Sequence, residues 1–335
     1  MMIAMTGLRR CAMVAVLCAA PAALASEVET AARIEARPFA EFRDGQTSSR
    51  FGALEFLGGI EFTSDNPLVG AVSSIRFRPD GQSFVAVLDT GHWMTGRIRR
   101  GGEGRLAGLD DVAVTPMVDA SGREPRSKGD IDAEGVALRN GQVIVSFERR
   151  HRVDVYPDPG FETSRPQRSL DFLIPRRELR GNSSLETVVV APASSPLRGS
   201  VVIVAEKSLD DDGNLYAAIL EGPRKGRFKV ARKAPFDVTD GAFLPNGDLL
   251  LLERSFSLLG GVGMRIRRID GDSIAPGALV DGEVLIEADL GEQIDNMEGL
   301  DVIAGKDGTA HLILVSDDNH SVFQRSLMLE FLLKP

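Results

Sequence analysis

Residues 240–254 read DGAFLPNGDLLLLER, and they contain the pattern from which the fold can be predicted. An apolar run at 241–244 leads through the turn residues Asn246 and Gly247 to a second apolar run at 249–252. Two such runs joined by an Asn-Gly turn are the sequence signature of a β-hairpin, because this dipeptide tolerates the positive φ angles of a tight turn. The stretch therefore predicts two antiparallel strands.

The same pattern recurs along the chain. Its glycine-containing turns lie at Gly81, Gly141, Gly199, Gly247 and Gly308, so they are separated by 60, 58, 48 and 61 residues. The paired runs are 74–77 with 84–88, 135–138 with 143–147, 187–190 with 201–205, 241–244 with 249–252, and 299–303 with 311–315. Repeats of this length, each unable to bury its own faces, are typical of a β-propeller.

These repeats predict an all-β chain that folds as a single β-propeller of six four-stranded blades. Five blades would come from the five hairpins, and the sixth would come from the terminal segments. We expect the apolar run at 326–333 to pair with residues 51–62 and so to close the ring. A pair of β-sandwiches or a β-solenoid is the alternative fold.

The N-terminal residues have the pattern of a secretory signal peptide. Arg9 and Arg10 precede an apolar run at 11–24, and residues 23–25, Ala-Leu-Ala, form a cleavage motif. This pattern predicts export to the periplasm or the exterior. No later run reaches 18 apolar residues, so we expect no membrane span. The predicted domains are a signal peptide at 1–25, a lead-in segment at 26–50 and a propeller domain at 51–335.

The composition excludes several kinds of partner and site. The chain has 48 Asp and Glu residues against 39 Lys and Arg, and its net charge of −9 becomes −11 (37 − 48) once Arg9 and Arg10 are removed. This acidic balance, without a basic stripe, argues against a nucleic-acid partner. Cys11 and Cys18 lie in the predicted signal peptide, so the mature protein has no thiol for catalysis or metal binding. We expect it to be a monomer.

Polar residues bracket each predicted hairpin. Those before the first strands are Ser73, Ser74, Glu134, Glu186, Asp240 and Glu298, and those after the second strands are Asp89, Glu148, Glu206, Glu253 and Asp317. An antiparallel hairpin returns to the end at which it began, so both members of a pair lie at the same end of a blade. If these hairpins form the innermost strands of a propeller, up to nine carboxylates lie at or near one mouth of its channel.

Such a mouth has a functional and a structural interpretation. Clustered carboxylates are ligands for hard cations such as Ca²⁺, and their crowding raises pKa values into the range useful for acid–base catalysis. The Arg and Lys residues that follow several second strands suit a phosphate group. Alternatively, each acid bonds to the neighbouring blade or to its own cation and only ties the blades together.

The functional interpretation assigns three roles. The predicted catalytic residues are Glu134, Glu186, Glu298 and Asp317; the predicted substrate-binding residues are Arg149, Lys207, Arg254, His92 and His320; and the predicted metal ligands are Glu134, Glu186, Glu253, Glu298, Asp317 and Asp318. The expected cofactor is Ca²⁺, with no organic cofactor. The expected partner is a small anionic substrate or a metal ion.

A family resemblance is carried by the segments 132–137 (DAEGVA), 182–187 (NSSLET), 252–256 (LERSF), 296–300 (NMEGL), 315–319 (VSDDN) and 324–331 (QRSLMLEF). They resemble the phytase-like family, whose members are described as having "esterase-like activity of phytase". The resemblance runs from about residue 51 to residue 333. It implies an exported bacterial β-propeller that hydrolyses phosphate esters.

Two functions from different classes stay open. As an enzyme, the protein would hydrolyse phosphate or carboxylic esters with the help of a metal ion held in the mouth. As a binding module, the same mouth would hold a cation or a small ligand, and the propeller would be a non-enzymatic scaffold of the cell envelope. A propeller supports either function, so the fold does not decide between them.

Overall fold

The computed structural model of the chain describes residues 30–46, 48–124, 128–257 and 260–335. The predicted signal peptide at 1–25 lies outside these residues. Within them, no helix has the length and apolar character needed to cross a membrane. The helical elements of this part of the chain are four short 3-10 segments, at Gly102–Gly104, Lys128–Asp130, Arg176–Glu178 and Gly271–Ser273.

The described residues are otherwise dominated by β-strands. In chain order these are β1 (Thr30–Ala31), β2 (Ile34–Phe39), β3 (Arg50–Phe51), β4 (Leu54–Ser64), β5 (Val72–Phe77), β6 (Ser83–Leu88), β7 (His92–Arg100), β8 (Leu106–Pro116), β9 (Ala133–Arg139), β10 (Gln142–Phe147), β11 (Arg152–Pro157), β12 (Arg168–Leu170), β13 (Thr187–Val190), β14 (Val201–Leu209), β15 (Leu215–Ile219), β16 (Gly226–Val230), β17 (Asp237–Phe243), β18 (Leu249–Ser257), β19 (Gly261–Ile269), β20 (Leu279–Val280), β21 (Glu283–Ala288), β22 (Met297–Ala304), β23 (Ala310–Ser316) and β24 (Leu327–Leu333).

Five sheets contain these strands, and each sheet is one blade of a propeller. From inside to outside, blade 1 is β5-β6-β7-β8-β1, blade 2 is β9-β10-β11-β12, blade 3 is β13-β14-β15-β16-β20, blade 4 is β17-β18-β19-β21, and blade 5 is β22-β23-β24-β4-β2, with β3 paired to β4. The first strands of the blades form a ring, since β5 contacts β9, β9 contacts β13, β13 contacts β17, β17 contacts β22, and β22 contacts β5. The prediction of an all-β propeller is therefore confirmed.

The ring has five blades, so the expectation of six is wrong. The terminal strands pair as expected, because β24 lies antiparallel to β4, with Leu327 opposite Glu61 and Leu333 opposite Leu54. However, β24 also pairs with β23, so the terminal strands complete the fifth blade instead of forming a sixth. The lead-in segment predicted at 26–50 contains β1 and β2, which pair with β8 and β4 near the outer edges of blades 1 and 5.

All five predicted hairpins are the two innermost strands of a blade. In blade 2, Asn140 and Gly141 join β9 to β10, and Arg139 lies opposite Gln142. Gly141 has a φ of +73°, which glycine adopts without the steric cost that other residues incur. The turn sends the chain back to its starting end, so the residues before β9 and after β10 lie close together.

The hydrophobic core lies between the blades. Apolar side chains form five clusters, one at each interface between neighbouring blades. At the interface of blades 4 and 5, Leu250 and Ile266 pack in one cluster with Leu312 and Phe331. Each fully buried side chain of this size contributes about 1.5–3 kcal/mol, so packing between blades is the main stabilising interaction of the ring.

A buried ion pair lies at the centre of the ring, between the innermost strands. Arg76, on β5 of blade 1, donates to both carboxylate oxygens of Asp240, on β17 of blade 4, at 2.9 and 2.8 Å. The same guanidinium donates to the carbonyl oxygens of Val188 in blade 3 and Leu300 in blade 5. Asp240 therefore lies inside the channel and joins blades, whereas the hairpin pattern predicts it at the mouth.

Candidate functional site

One end of the ring carries a polar cavity of about 270 Å³, which we call the acidic mouth. Among the described residues, eight carboxylate residues and two arginines line it. The lining residues are Asp89, Asp132, Glu134, Glu148, Glu186, Glu206, Glu298 and Asp317, with Arg149, Arg254, Ser73, Asn182, Ser183, Asn296 and Asn319. Ionised carboxylates so close together repel one another, and this arrangement favours either protonation or a bound cation.

The hairpins bring these carboxylates together as the sequence predicts. Glu134 lies at the start of an innermost strand, β9, and Glu148 directly follows its partner, β10. The same two positions in the other blades supply most of the remaining acids. Of the nine carboxylates expected at or near the mouth, seven line it, and the exceptions are Asp240 and Glu253.

Blade 2 provides the tightest group of oxygen ligands. One carboxylate oxygen each from Asp132, Glu134 and Glu148 lies within 4.8 Å of the other two. The Nε atom of Arg149 forms an ion pair with the carboxylate of Asp132, and half of the Arg149 side chain is exposed. Among the described residues, Glu134 forms no ion pair and no hydrogen bond through its carboxylate.

Glu148 connects this group to blade 3. The backbone amide of Ser183 donates to Glu148 at 2.8 Å, and the amide of Ser184 donates to its other oxygen. Burial raises the pKa of Glu148, although the hydrogen bonds from these two amides oppose the shift.

Arg254 organises the opposite side of the mouth. Its guanidinium lies 2.8 Å from Glu298 and 3.7 Å from Glu206, and it also donates to the side-chain oxygen of Asn296. Asn296 in turn lies 3.5 Å from a carboxylate oxygen of Asp317. Each side of the mouth therefore places one arginine among acids, Arg254 on this side and Arg149 on the blade 2 side.

The crowding raises the pKa of several mouth carboxyls. Burial is the main cause, and repulsion from neighbouring carboxylates adds to it; both effects lift the pKa of Glu134 and of Glu186 well above the ordinary glutamate range. Burial raises the pKa of Glu298 to about 8, although Arg254 opposes the shift. Burial also raises the pKa of Asp317 to about 7. Several mouth acids therefore carry protons near neutral pH when no cation is bound.

Glu253 does not reach the mouth, contrary to its prediction as a metal ligand. It is buried within blade 4, where one carboxylate oxygen accepts a hydrogen bond from Arg265 at 2.7 Å and the other accepts one from Arg267 at 2.7 Å. Both arginines lie on β19, the strand next to β18. Because two cations already satisfy Glu253, its carboxylate acts as a structural anchor of blade 4.

Asp318 also has a structural position outside the mouth lining. Its carboxylate accepts hydrogen bonds from the backbone amides of Ala71 and His320 and from the hydroxyl of Ser326, at 3.3, 3.0 and 2.6 Å. These bonds fix the connection between β23 and β24. The predicted ligand Asp318 therefore orders the segment that carries Asp317.

Three predicted substrate-binding residues lie outside the lining of the mouth. Lys207 is at the rim, where its Nζ lies 2.9 Å from Glu206 and 3.3 Å from Asp237. His92 begins β7, and its Nδ1 lies 3.0 Å from the Thr90 hydroxyl. His320 is exposed. The structure thus brings together Glu134, Glu186, Glu298, Asp317, Arg149 and Arg254, while their predicted roles stay predictions.

Sequence reasoning gave no role to several residues that line the mouth. Asp132 is the most important, because it completes the group with Glu134 and Glu148. Its position in the sequence could have predicted this. Asp132 is two residues before Glu134, and alternate residues of an extended chain face the same side. Asn182 and Asn296 lie in connecting segments, and no hairpin pattern marks such positions.

Solved structures with a similar fold match the chain with low TM-scores and low sequence identity. The WD40 repeats of RRP9 match with a TM-score of 0.42 and 12% identity, covering 79% of this chain and 95% of that one. The PQQ-bound aldose sugar dehydrogenase from Streptomyces coelicolor matches with a TM-score of 0.40 and 13% identity, covering 89% and 98%. No conclusion on activity rests on these likenesses.

The family comparison is more informative. No curated protein matches the chain. The family model described as "Phytase-like: Esterase-like activity of phytase" matches residues 67–320, about three quarters of the sequence. That span contains every residue of the acidic mouth. The chain therefore belongs to the phytase-like family.

Proposed function

We propose that this protein is exported and hydrolyses phosphate esters at the acidic mouth with the help of a bound divalent cation such as Ca²⁺. The observation that carries the proposal is the group Asp132, Glu134 and Glu148, whose carboxylate oxygens converge within 4.8 Å. The family description and the signal-peptide pattern support the proposal.

The donor set fits a hard cation. Ca²⁺ prefers six to eight oxygen ligands, and the mouth offers eight carboxylate residues together with the amide side chain of Asn182. With eight acids against two arginines, a divalent ion would offset part of the excess negative charge. Asp132, Glu134 and Glu148 would hold the ion, and Glu186 lines the same cavity.

The arginines suit a phosphate group. When bound, the ion would neutralise phosphate charge and lower the pKa of a water molecule. Arg149 has half of its side chain exposed beside the blade 2 acids, and Arg254 faces the mouth from blade 4. Guanidinium groups bind phosphate oxygens through paired charge-assisted hydrogen bonds, so the two arginines would hold the ester between them.

Glu298 is suited to proton transfer. Hydrolysis adds water to phosphorus and breaks the bond between phosphorus and the alcohol oxygen, which then needs a proton. Burial raises the pKa of Glu298 to about 8 in the ion-free protein, although Arg254 opposes the shift, and we assign the donation of this proton to Glu298. Asp317, with its pKa raised to about 7, can accept the proton released by the attacking water.

A non-enzymatic cation-binding function is the second candidate. It is favoured by the ion pairs of both arginines, since Arg149 pairs with Asp132 and Arg254 pairs with Glu298. A substrate phosphate would have to compete with these carboxylates. On this alternative, the mouth binds the ion only to stabilise the ring, and the propeller is a scaffold of the cell envelope.

The experiment that separates these functions is an assay of the purified mature protein on phosphate and carboxylic esters, with Ca²⁺ and with a chelator. We expect calcium-dependent phosphatase activity, and we expect Glu298→Gln to lower kcat/KM by about 100-fold, the usual contribution of a general acid. Glu283→Gln, an exposed position on β21, is the matched control and should be unchanged. Calcium that raises the Tm of an inactive wild type would instead support the scaffold.

A further inference from the structure

Left-handed backbone conformations cluster at the acidic mouth. Nine of the described residues that are not glycine have a φ angle in the left-handed region, and three of these nine line the mouth: Arg149, Ser183 and Asn319. This conformation is uncommon outside glycine, asparagine, aspartate and histidine, and it persists only where the surrounding structure enforces it. Because such residues are concentrated at functional sites, Ser183, with a φ of +68°, is a candidate for a functional role.

The left-handed conformation of Ser183 turns two successive backbone amides towards one carboxylate. The amide of Ser183 donates to one oxygen of Glu148 at 2.8 Å, and the amide of Ser184 donates to the other oxygen. Successive N–H groups form an anion-binding concavity, called a nest, where a left-handed residue turns the chain. Residues 183–184 therefore form what we call the serine nest, and the anion that it binds is the carboxylate of Glu148.

The serine nest belongs to one blade and its carboxylate belongs to the next. The carbonyl oxygens of Ser183 and Ser184 accept hydrogen bonds from the backbone amides of Lys207 and Glu206, at 3.1 and 3.0 Å, and both donors lie on β14 of blade 3. Glu148, in contrast, follows β10 of blade 2, and only 1% of it is exposed. The backbone of blade 3 therefore fixes a buried carboxylate of blade 2.

The contact leaves Glu148 able to bind a cation. A carboxylate has about four lone-pair sites, so an oxygen that accepts one amide hydrogen bond keeps a second site for a metal ion. Glu148 also contributes one oxygen to the group that it forms with Asp132 and Glu134. Hydrogen bonds that orient a metal ligand from outside the coordination shell are important for affinity, and their loss typically weakens metal binding about 10–100-fold.

We propose that Ser183 is a positioning residue, whose left-handed backbone orients the carboxylate of Glu148 towards the bound cation. The backbone conformation carries this role, because the two hydrogen bonds to Glu148 come from amides and not from a hydroxyl group. A substitution should therefore act according to how well the new side chain tolerates a positive φ. The positioning role rests on the proposed function, whereas the contact between the serine nest and Glu148 does not.

The test is calorimetric titration of Ser183→Val and Ser183→Asn with Ca²⁺. A β-branched side chain disfavours the left-handed region, whereas asparagine tolerates it. We expect Ser183→Val to bind Ca²⁺ about 10–100-fold more weakly than the wild type, and Ser183→Asn to bind it like the wild type. The matched control is Arg198→Val, since Arg198 is exposed, has a φ of +49° and lies between β13 and β14, at the end of blade 3 away from the mouth. This variant should have a lower Tm and an unchanged affinity for Ca²⁺.

Thermal unfolding of the metal-free protein tests the contact separately. Ser183→Val and Glu148→Leu break the same contact, so the double variant should lose less Tm than the sum of the two single losses. Additive losses would overturn the inference, and so would a wild-type affinity for Ca²⁺ in Ser183→Val. Equal weakening in Ser183→Asn would assign the effect to the hydroxyl group instead. A wild type that binds no Ca²⁺ would reject the proposed cation, and the positioning role with it, even if the Tm losses show the contact.

Discussion

Replacing Arg76 with methionine should destabilise the whole ring, because this one side chain connects four of the five blades. Seven oxygen atoms lie within hydrogen-bonding distance of its guanidinium, two of them in the carboxylate of Asp240. The others lie in blades 1, 3, 4 and 5 and include the carbonyl oxygens of Val188 and Leu300. Methionine fills a similar volume but offers no donor.

The size of the effect follows from burial. The side chain of Asp240 is fully buried and that of Arg76 is 7% exposed. Removing one partner of a buried ion pair leaves the other charge without compensation, which costs about 3–5 kcal/mol of unfolding free energy. For a chain of this size, at about 2 °C per kcal/mol, the Tm should fall by about 6–10 °C.

Guanidinium-induced unfolding, monitored together with thermal unfolding, measures this change. Arg78→Met is the matched control, since Arg78 pairs with Asp158 at a more exposed position and should lose less than about 1 kcal/mol. Combining Arg76→Met with Asp240→Leu removes both charges and should recover a large part of the loss. A stability for Arg76→Met that matches Arg78→Met would refute the role of Arg76 as the axial connection.

Two further predictions concern the mouth. Gly135→Ala should lower the free energy of unfolding by more than about 2 kcal/mol in chemical unfolding. The added Cβ would collide with the carbonyl oxygen of Glu186 and would lie 2.9 Å from the backbone amide nitrogen of Val188. Gly181→Ala is the control and should be neutral, because a Cβ at Gly181 would have open space around it. The metal-free protein should lose stability as pH rises from about 4 to about 8, since the raised pKa of Glu298 makes the folded state bind more protons than the unfolded state in that window. Glu298→Gln should flatten the profile of Tm against pH, and a profile identical to that of the wild type would contradict the prediction.

The fold was predictable because its information is local. Each hairpin is specified by two apolar runs and a glycine turn, as at Gly141, and the pairing of the terminal segments follows from their apolar character. The number of blades depends on a pairing that the local pattern does not show. The terminal strand β24 pairs with β23, the second strand of the fifth hairpin, so the terminal strands belong to the fifth blade and do not form a sixth.

The site was predictable only in outline, because equivalent positions in a repeat need not have equivalent neighbours. Glu148 directly follows β10, whereas Glu253 lies within β18 and accepts hydrogen bonds from two arginines of the adjacent strand, Arg265 and Arg267, which hold it away from the mouth. Its register opposite Arg265 appears only once β18 and β19 are paired.

Calorimetric titration of the mature protein with Ca²⁺ measures whether the carboxylates of the mouth bind a cation. Glu134 lies within 4.8 Å of both Asp132 and Glu148 and has no partner of its own among the described residues. We predict saturable binding by the wild type, binding at least tenfold weaker by Glu134→Gln, and unchanged binding by the exposed control Glu283→Gln. No binding by the wild type, or equal binding by Glu134→Gln, would contradict the account.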